Sequence, residues 1–139
     1  QISFFEFEKL VHTERKNGEL SSDQICEFWM KTQSESLGPH IELTEGYKYF
    51  WTYIPHFIHT PFYVYAYAFG DCLVNVLIQL YDEGLPDFKN NYIELLKSGG
   101  SKHYSEVLKP FNVDLKNKDS WQKGLSMISR LIDEFEKAI

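Results

Sequence analysis

The sequence is poor in features that mark several large classes of protein. Its 139 residues include only two cysteines, Cys26 and Cys72, which lie among apolar residues and lack the regular spacing of a disulfide framework or a zinc site. We therefore predict free, mostly buried thiols and a cytoplasmic protein. No cluster of lysine and arginine is present, and the net charge is −6. This charge pattern disfavours nucleic acid and anionic membrane surfaces as partners.

A long apolar run is also missing. The most apolar segment, residues 61–83, is interrupted by Asp71, Asn75 and Gln79, and no lysine or arginine marks its flanks. Because a membrane-spanning helix needs about 20 predominantly apolar residues, we favour a helix buried in a large protein over a transmembrane one. The chain has no signal-peptide pattern, since Gln1 is followed directly by an amphipathic helical pattern. This start suggests the C-terminal piece of a longer protein.

The common catalytic motifs are absent as well. The sequence contains no HExxH zinc motif, no GxSxG nucleophile motif and no Walker loop. Among five histidines only His56 and His59 are close together. A metal ion could bind both, but no nearby carboxylate supplies a third ligand, so we assign no metal ligand. Glu6 and Glu8 on the first predicted helix are interpreted as solvated or capping groups rather than as an acid–base pair.

The sequence does contain a succession of helical patterns. Hydrophobic residues make up 43% of the chain and aromatic residues 17%, which indicates a folded protein of one domain. No strand of alternating polarity is recognisable, so we predict an all-α helical bundle in which residues 1–139 form a single unit. Its helices are predicted at Ile2–Lys16, Ser22–Leu37, Glu45–Tyr53, Pro61–Glu83, Pro86–Lys97, Lys102–Lys109 and from Asp119 onward.

Several of these helices have recognisable start signals. Ser21 and Gln24 have the spacing of a capping box at the second helix. Thr60 and Pro61 predict the N-cap and first residue of the longest helix, and Asp119 predicts the N-cap of the last.

The segment from Trp51 to Gly70 has the most unusual composition. Two histidines lie between two prolines, and tyrosines follow at positions 63, 65 and 67. A plain core helix does not need a row of phenol groups, because each buried hydroxyl must find a hydrogen-bond partner. Stepping by four residues from Tyr63 gives a polar stripe, which continues through Tyr67, Asp71, Asn75 and Gln79. We expect this stripe to face a polar network or a water-filled channel.

Three stretches of the sequence carry a family resemblance. The segment IPHFIHTPFYVYAYAFGD resembles the C-terminal signature of oligoendopeptidase F, within the thimet-oligopeptidase-like zinc peptidases. FFEFEKLVHTERKNGE resembles the helix that follows the metal-binding region in that family, and YIELLKSGGSKHYSEVLKPFNVDL resembles a later stretch. The matching motifs occur in the expected order and cover essentially the whole chain.

The resemblance implies a zinc-dependent endopeptidase that cleaves short peptides inside a deep channel of a nearly all-helical body. In that family the HExxH motif and a later glutamate hold the zinc. They would lie upstream of Gln1, so the resemblance implies that the fragment alone is inactive. The C-terminal part forms the opposing wall of the channel, where a histidine and tyrosine hydroxyls bind the substrate backbone and the developing oxyanion.

Carried onto this sequence, the resemblance assigns catalytic roles to His56 and Tyr67 and substrate-binding roles to Tyr63 and His59. A tyrosine hydroxyl, with a reference pKa near 10, stays protonated at neutral pH and can donate to an oxyanion without carrying charge. HFIHTPFY is one residue longer than the usual family form, so either histidine could take the functional position. Tyr65 points about 200° away from Tyr63 on a helix and is predicted to pack. The alternative is a non-catalytic helical module that binds a peptide in an aromatic groove.

Overall fold

The computed structural model describes all 139 residues and contains helices but no strand. The predicted all-α class is therefore confirmed. The α-helices are α1 (Ile2–Glu14), α2 (Ser22–Leu37), α3 (His56–His59), α4 (Tyr65–Asp82), α5 (Phe88–Ser98), α6 (Tyr104–Val107) and α7 (Lys118–Ala138). Short 3-10 helices occur at Arg15–Asn17, Glu45–Tyr53 and Lys109–Phe111. None of the helices is both long and apolar enough to cross a membrane.

The chain divides into two compact units, unit 1 (Gln1–Ala68) and unit 2 (Phe69–Ile139). The division falls within α4, so that the first turn of this helix belongs to unit 1 and the remainder to unit 2. That the two units form one domain stays a prediction.

Unit 1 is built around an aromatic core. The ring of Trp29 is fully buried and lies against Phe4 and Phe7 of α1, with centroid distances of 5.3 and 5.2 Å. Its indole nitrogen Nε1 donates a hydrogen bond to the carbonyl oxygen of Tyr47 at 3.0 Å. The apolar body of the indole therefore fills the core while its polar atom is satisfied, as a buried tryptophan requires.

Unit 2 has a mostly aliphatic core. Its buried members come from α4 and from the segment that follows α6: Val76, Leu77, Leu80, Leu108, Phe111 and Val113. Helix α7 approaches α4 closely at Gly124, where a side chain would meet the carbonyl oxygen of Cys72. Both cysteines are free, as predicted.

Some of the predicted helix starts are confirmed and others are wrong. The Ser21 capping box is present with both of its hydrogen bonds, and α2 ends at Leu37 as predicted. The last helix begins one residue before the predicted cap Asp119, because the side chain of Asn117 accepts the hydrogen bond from the Asp119 N–H. Pro86 does not open a helix. Asp87 adopts a left-handed conformation, and α5 starts only at Phe88.

The start of α4 was also predicted wrongly. The helix begins at Tyr65 rather than at Pro61, and α7, with 21 residues, is longer than α4, with 18. Phe62 has a φ of 62°, in the left-handed region that a continuing right-handed helix excludes. Its N–H donates to the carboxylate of Glu8 on α1 instead of starting the helix. A tertiary contact therefore overrides the Thr-Pro start signal.

Candidate functional site

The histidine-containing segment forms one short helical turn that is anchored on one side only. Pro55 caps α3, and the backbone N–H of His59 donates to the carbonyl oxygen of Pro55 at 2.8 Å. Phe57 in the middle of α3 packs on the aromatic core, with its ring 5.0 Å from that of Phe7. This anchor holds one face of the turn in the core and leaves the neighbouring His56 only partly buried.

The chain returns to a helix through a second anchor. Val64, between two tyrosines, is 1% exposed, whereas Tyr63 is 48% exposed. The Ala66 N–H donates to the carbonyl oxygen of Tyr63 at 3.0 Å, which closes the first turn of α4. Val64 therefore points into unit 1, whereas Tyr63 before it and Tyr65 after it are exposed.

Three of the predicted site residues form a cluster of rings, which we call the ring cluster: His56, Tyr63 and Tyr67. The imidazole of His56 stacks on the ring of Tyr63, with centroids 5.8 Å apart and planes inclined by 9°. Tyr67 stands edge-on to both, at 6.3 Å from His56 and 6.2 Å from Tyr63. Residues from three parts of the local chain, α3, the turn and α4, thus converge on one spot.

The other two residues considered lie apart from this cluster. His59 is exposed at the end of α3. The ring of Tyr65 lies 6.3 Å from Phe5, on α1, in an edge-on contact. Tyr65 is 46% exposed, and the packing role predicted for it stays a prediction. The roles predicted for the remaining four residues stay predictions.

The ring cluster has the chemistry of a hydrogen-bonding surface. Tyr67 is 56% exposed and Tyr63 48% exposed. A cavity of about 90 Å³ in unit 1 lies beside α3 but is lined by other residues, among them Glu8, Trp51 and Ile58. Phenol and imidazole groups on an open face can donate hydrogen bonds to a carbonyl oxygen or an oxyanion.

The polar stripe continues along α4 with local hydrogen bonds. Nδ2 of Asn75 donates to Asp71 at 3.4 Å, and Nε2 of Gln79 donates to Glu83 at 3.1 Å. Val74 on the same helix is 51% exposed. Burial of this helix on all sides by a larger protein, with the stripe facing a channel, stays a prediction.

The prediction for Glu8 was wrong. The residue is neither solvated nor a capping group, since it is 2% exposed and its Oε1 accepts a hydrogen bond of 2.6 Å from the N–H of Phe62. A signal was available in the sequence. Glu8 lies four residues after Phe4 and three before Val11, on the apolar face of α1.

No group of three or more histidine, cysteine, aspartate or glutamate side chains in this structure could hold a metal ion. His56 and His59 therefore belong to no such group. The residues present therefore do not fit a zinc centre of their own.

Comparison with known proteins shows which proteins the chain is similar to. The sequence profile of peptidase family M3 matches residues 1–127. Oligopeptidase PepF of Bacillus subtilis is 30% identical over the whole chain, and an oligoendopeptidase F homolog of Borreliella burgdorferi is 30% identical over 99% of it. Group B oligopeptidase PepB of Streptococcus agalactiae is 27% identical over the whole chain. The predicted resemblance to oligoendopeptidase F is confirmed.

The similarity concerns one part of these relatives. The chain spans 21% of the length of the Bacillus protein and 23% of the Borreliella and Streptococcus proteins. No solved structure matches the chain.

Proposed function

Since the chain belongs to peptidase family M3, we propose that it is part of a zinc-dependent oligoendopeptidase that hydrolyses internal bonds of short peptides. Within that enzyme it supplies a wall that binds the substrate and stabilises the oxyanion. The relatives' names, oligopeptidase and oligoendopeptidase, support the substrate class. Because these side chains do not fit a zinc site, the zinc ligands are assigned to parts of the enzyme outside these 139 residues.

The observation that carries the proposal is the convergence of His56, Tyr63 and Tyr67. Their rings lie within 5.8–6.3 Å of one another, and both tyrosines are about half exposed. Peptide hydrolysis passes through a tetrahedral intermediate whose oxygen carries negative charge. Hydrogen-bond donors that face this oxygen stabilise it more than they stabilise the starting carbonyl. We assign this donation to the hydroxyl of Tyr67 and an imidazole N–H of His56, and contacts with the substrate backbone to Tyr63 and His59.

The stacked geometry supports this division of roles. The near-parallel ring of Tyr63 supports the His56 imidazole from one side, whereas Tyr67 meets the imidazole edge-on. An imidazole held in this way keeps a fixed orientation, which a hydrogen bond to a reacting oxygen requires.

The test uses the natural full-length protein and a quenched fluorescent peptide as substrate. Replacing Tyr67 by phenylalanine or His56 by alanine should lower kcat by about two orders of magnitude, because one oxyanion donor is lost. Bound zinc, measured by atomic absorption, should not change. Tyr53→Phe is the matched control, since Tyr53 is an exposed tyrosine outside the ring cluster. Wild-type kcat in both site variants would refute the assigned roles.

The same experiment separates catalysis from binding alone. If Tyr67→Phe raises KM and leaves kcat unchanged, the hydroxyl contributes only to peptide binding. The isolated 139-residue chain is expected to hydrolyse no peptide when zinc is added. Zinc-dependent hydrolysis by that chain would place the catalytic centre within it.

A further inference from the structure

We propose that Glu8 is a positioning residue of this site, whose buried carboxylate fixes the turn that presents Tyr63 to His56. The inference rests on the proposed function. It adds a residue on a different helix, 54 positions away in sequence from the backbone group that it holds.

The first observation is the contact itself. Oε1 of Glu8 accepts a hydrogen bond of 2.6 Å from the N–H of Phe62. This N···O distance is shorter than the roughly 2.9–3.0 Å of an ordinary N–H···O hydrogen bond. Phe62 directly precedes Tyr63, so the bond fixes the backbone at the base of the Tyr63 side chain.

The second observation is the conformation that the bond maintains. Phe62 has a φ of 62°, which a residue with a bulky side chain rarely adopts. Such a conformation persists only where the surroundings hold it. Two contacts do so here: the Glu8 carboxylate on the backbone, and the imidazole of His12 at 4.4 Å from the Phe62 ring. Both contacts come from α1.

The third observation is the burial of Glu8. The residue is 2% exposed, and its Oε2 is buried with no hydrogen-bond partner. Phe7, Trp51 and Phe57 line the cavity beside it. An apolar side chain of similar size would pack there without the cost of desolvating a carboxylate. The carboxylate is therefore explained by the bond that it makes and not by packing.

The three observations give Glu8 a defined effect on the ring cluster. The turn from Thr60 to Val64 connects α3 to α4, so its conformation sets where Tyr63 lies relative to His56. Loss of the hydrogen bond releases Phe62 from the left-handed region and moves Tyr63 away from its stacked position. A displacement of about 1 Å at a catalytic group lowers turnover by up to about a hundredfold.

The test compares Glu8→Leu and Glu8→Gln in the natural full-length protein. Leucine removes the acceptor, whereas glutamine keeps a carbonyl oxygen at the same distance along the side chain. The control is Glu6→Gln, since Glu6 is on the same helix but has a half-exposed side chain paired with Lys9. Two quantities are measured: kcat and KM for a fluorescent peptide, and amide hydrogen exchange of residues 56–67 by mass spectrometry.

We expect Glu8→Leu to accelerate exchange in residues 56–67 by roughly tenfold or more, as loss of the buried hydrogen bond that holds the turn implies. Its kcat should fall by one to two orders of magnitude. Glu8→Gln should restore most of both values, and Glu6→Gln should match the wild type. Exchange in α2, which reports whether unit 1 is folded, should stay unchanged in all variants.

Two results would overturn the proposal. One is unchanged exchange at residues 56–67 in Glu8→Leu, which would show that the bond does not hold the turn. The other is faster exchange with wild-type kcat, which would show that the turn does not govern catalysis. If Glu8→Leu does not fold, the decision rests on Glu8→Gln. The proposal would also be overturned if Glu8→Gln lowered kcat at least as much as Tyr63→Phe does while its amide exchange matched that of the wild type. The proposed function is judged separately, from His56→Ala and Tyr67→Phe.

Discussion

Gly124 provides a sharp test of how the helices of unit 2 pack. A Cβ atom at this position would lie 2.9 Å from the carbonyl oxygen of Cys72 and 3.1 Å from the backbone N of Val76. Both are backbone atoms of α4, so neither can move aside as the end of a flexible side chain could. Gly124→Ala therefore forces the two helices apart or bends them, at a cost of about 1–3 kcal/mol.

A second glycine serves as the control for helix propensity. Alanine is favoured over glycine in a helix interior by about 1 kcal/mol, and this gain partly hides the clash at Gly124. Gly70 also lies within a helix, α4, but a Cβ atom there would meet nothing within 4 Å. Gly70→Ala should therefore gain stability by up to about 1 kcal/mol. The difference between the two variants isolates the clash.

The assay is urea unfolding of the wild type and both variants, with the free energy of unfolding taken from midpoints at a common slope. We expect Gly124→Ala to be less stable than Gly70→Ala by about 1–3 kcal/mol. Equal stability of the two variants would refute the close approach of α7 to α4 at this point.

Two further predictions concern a helix start and an ion pair. Ser21→Ala removes the capping box of α2 and should lower the free energy of unfolding, measured in urea, by about 0.5–2 kcal/mol. Ser22→Ala, one position inside the helix, should lower it far less. Equal losses of stability in the two variants would contradict the role of Ser21 as the cap. A hydrogen bond from Lys123, and then one from Gln79, lowers the pKa of Glu83 below its ordinary 4.5. The stability that this ion pair contributes is therefore present above pH 4.5 and is lost as the pH falls through the lowered pKa. It stays below about 1 kcal/mol because both side chains are nearly half exposed. Lys123→Met should remove this stability at pH 6 and have a smaller effect at pH 3. An equal effect at both pH values would argue against the pair.

The fold could be predicted from sequence wherever a local signal acts alone. The Ser21 capping box is a local signal for the start of α2, and both bounds of that helix were predicted correctly. The start of α4 could not be predicted in this way. Thr60 and Pro61 form a good local start signal for a helix. Phe62, the residue after Pro61, is nevertheless in a left-handed conformation, and its N–H donates to Glu8. No local pattern contains that information.

The candidate site was predictable in part for a similar reason. Histidine and tyrosine at positions 56, 63 and 67 differ from the residues of an ordinary core helix, and the structure brings these three rings together. The helical spacing used to pair Tyr63 with Tyr67 was not the cause, because Tyr63 lies before α4 begins. The contribution of Glu8 was missed because a glutamate beside Lys9 resembles a solvated helix residue. Its position on the apolar face of α1 was the sequence feature that indicated burial.

The most direct test of the proposed role is affinity for a transition-state analogue. A phosphinic peptide imitates the tetrahedral intermediate, so its inhibition constant reports how well the enzyme binds that species. We expect Tyr67→Phe and His56→Ala to raise this inhibition constant roughly a hundredfold, which is about the factor by which they lower kcat/KM. KM should change little. An unchanged inhibition constant in both variants would contradict the account, because the ring cluster would then make no contact with the reacting carbonyl.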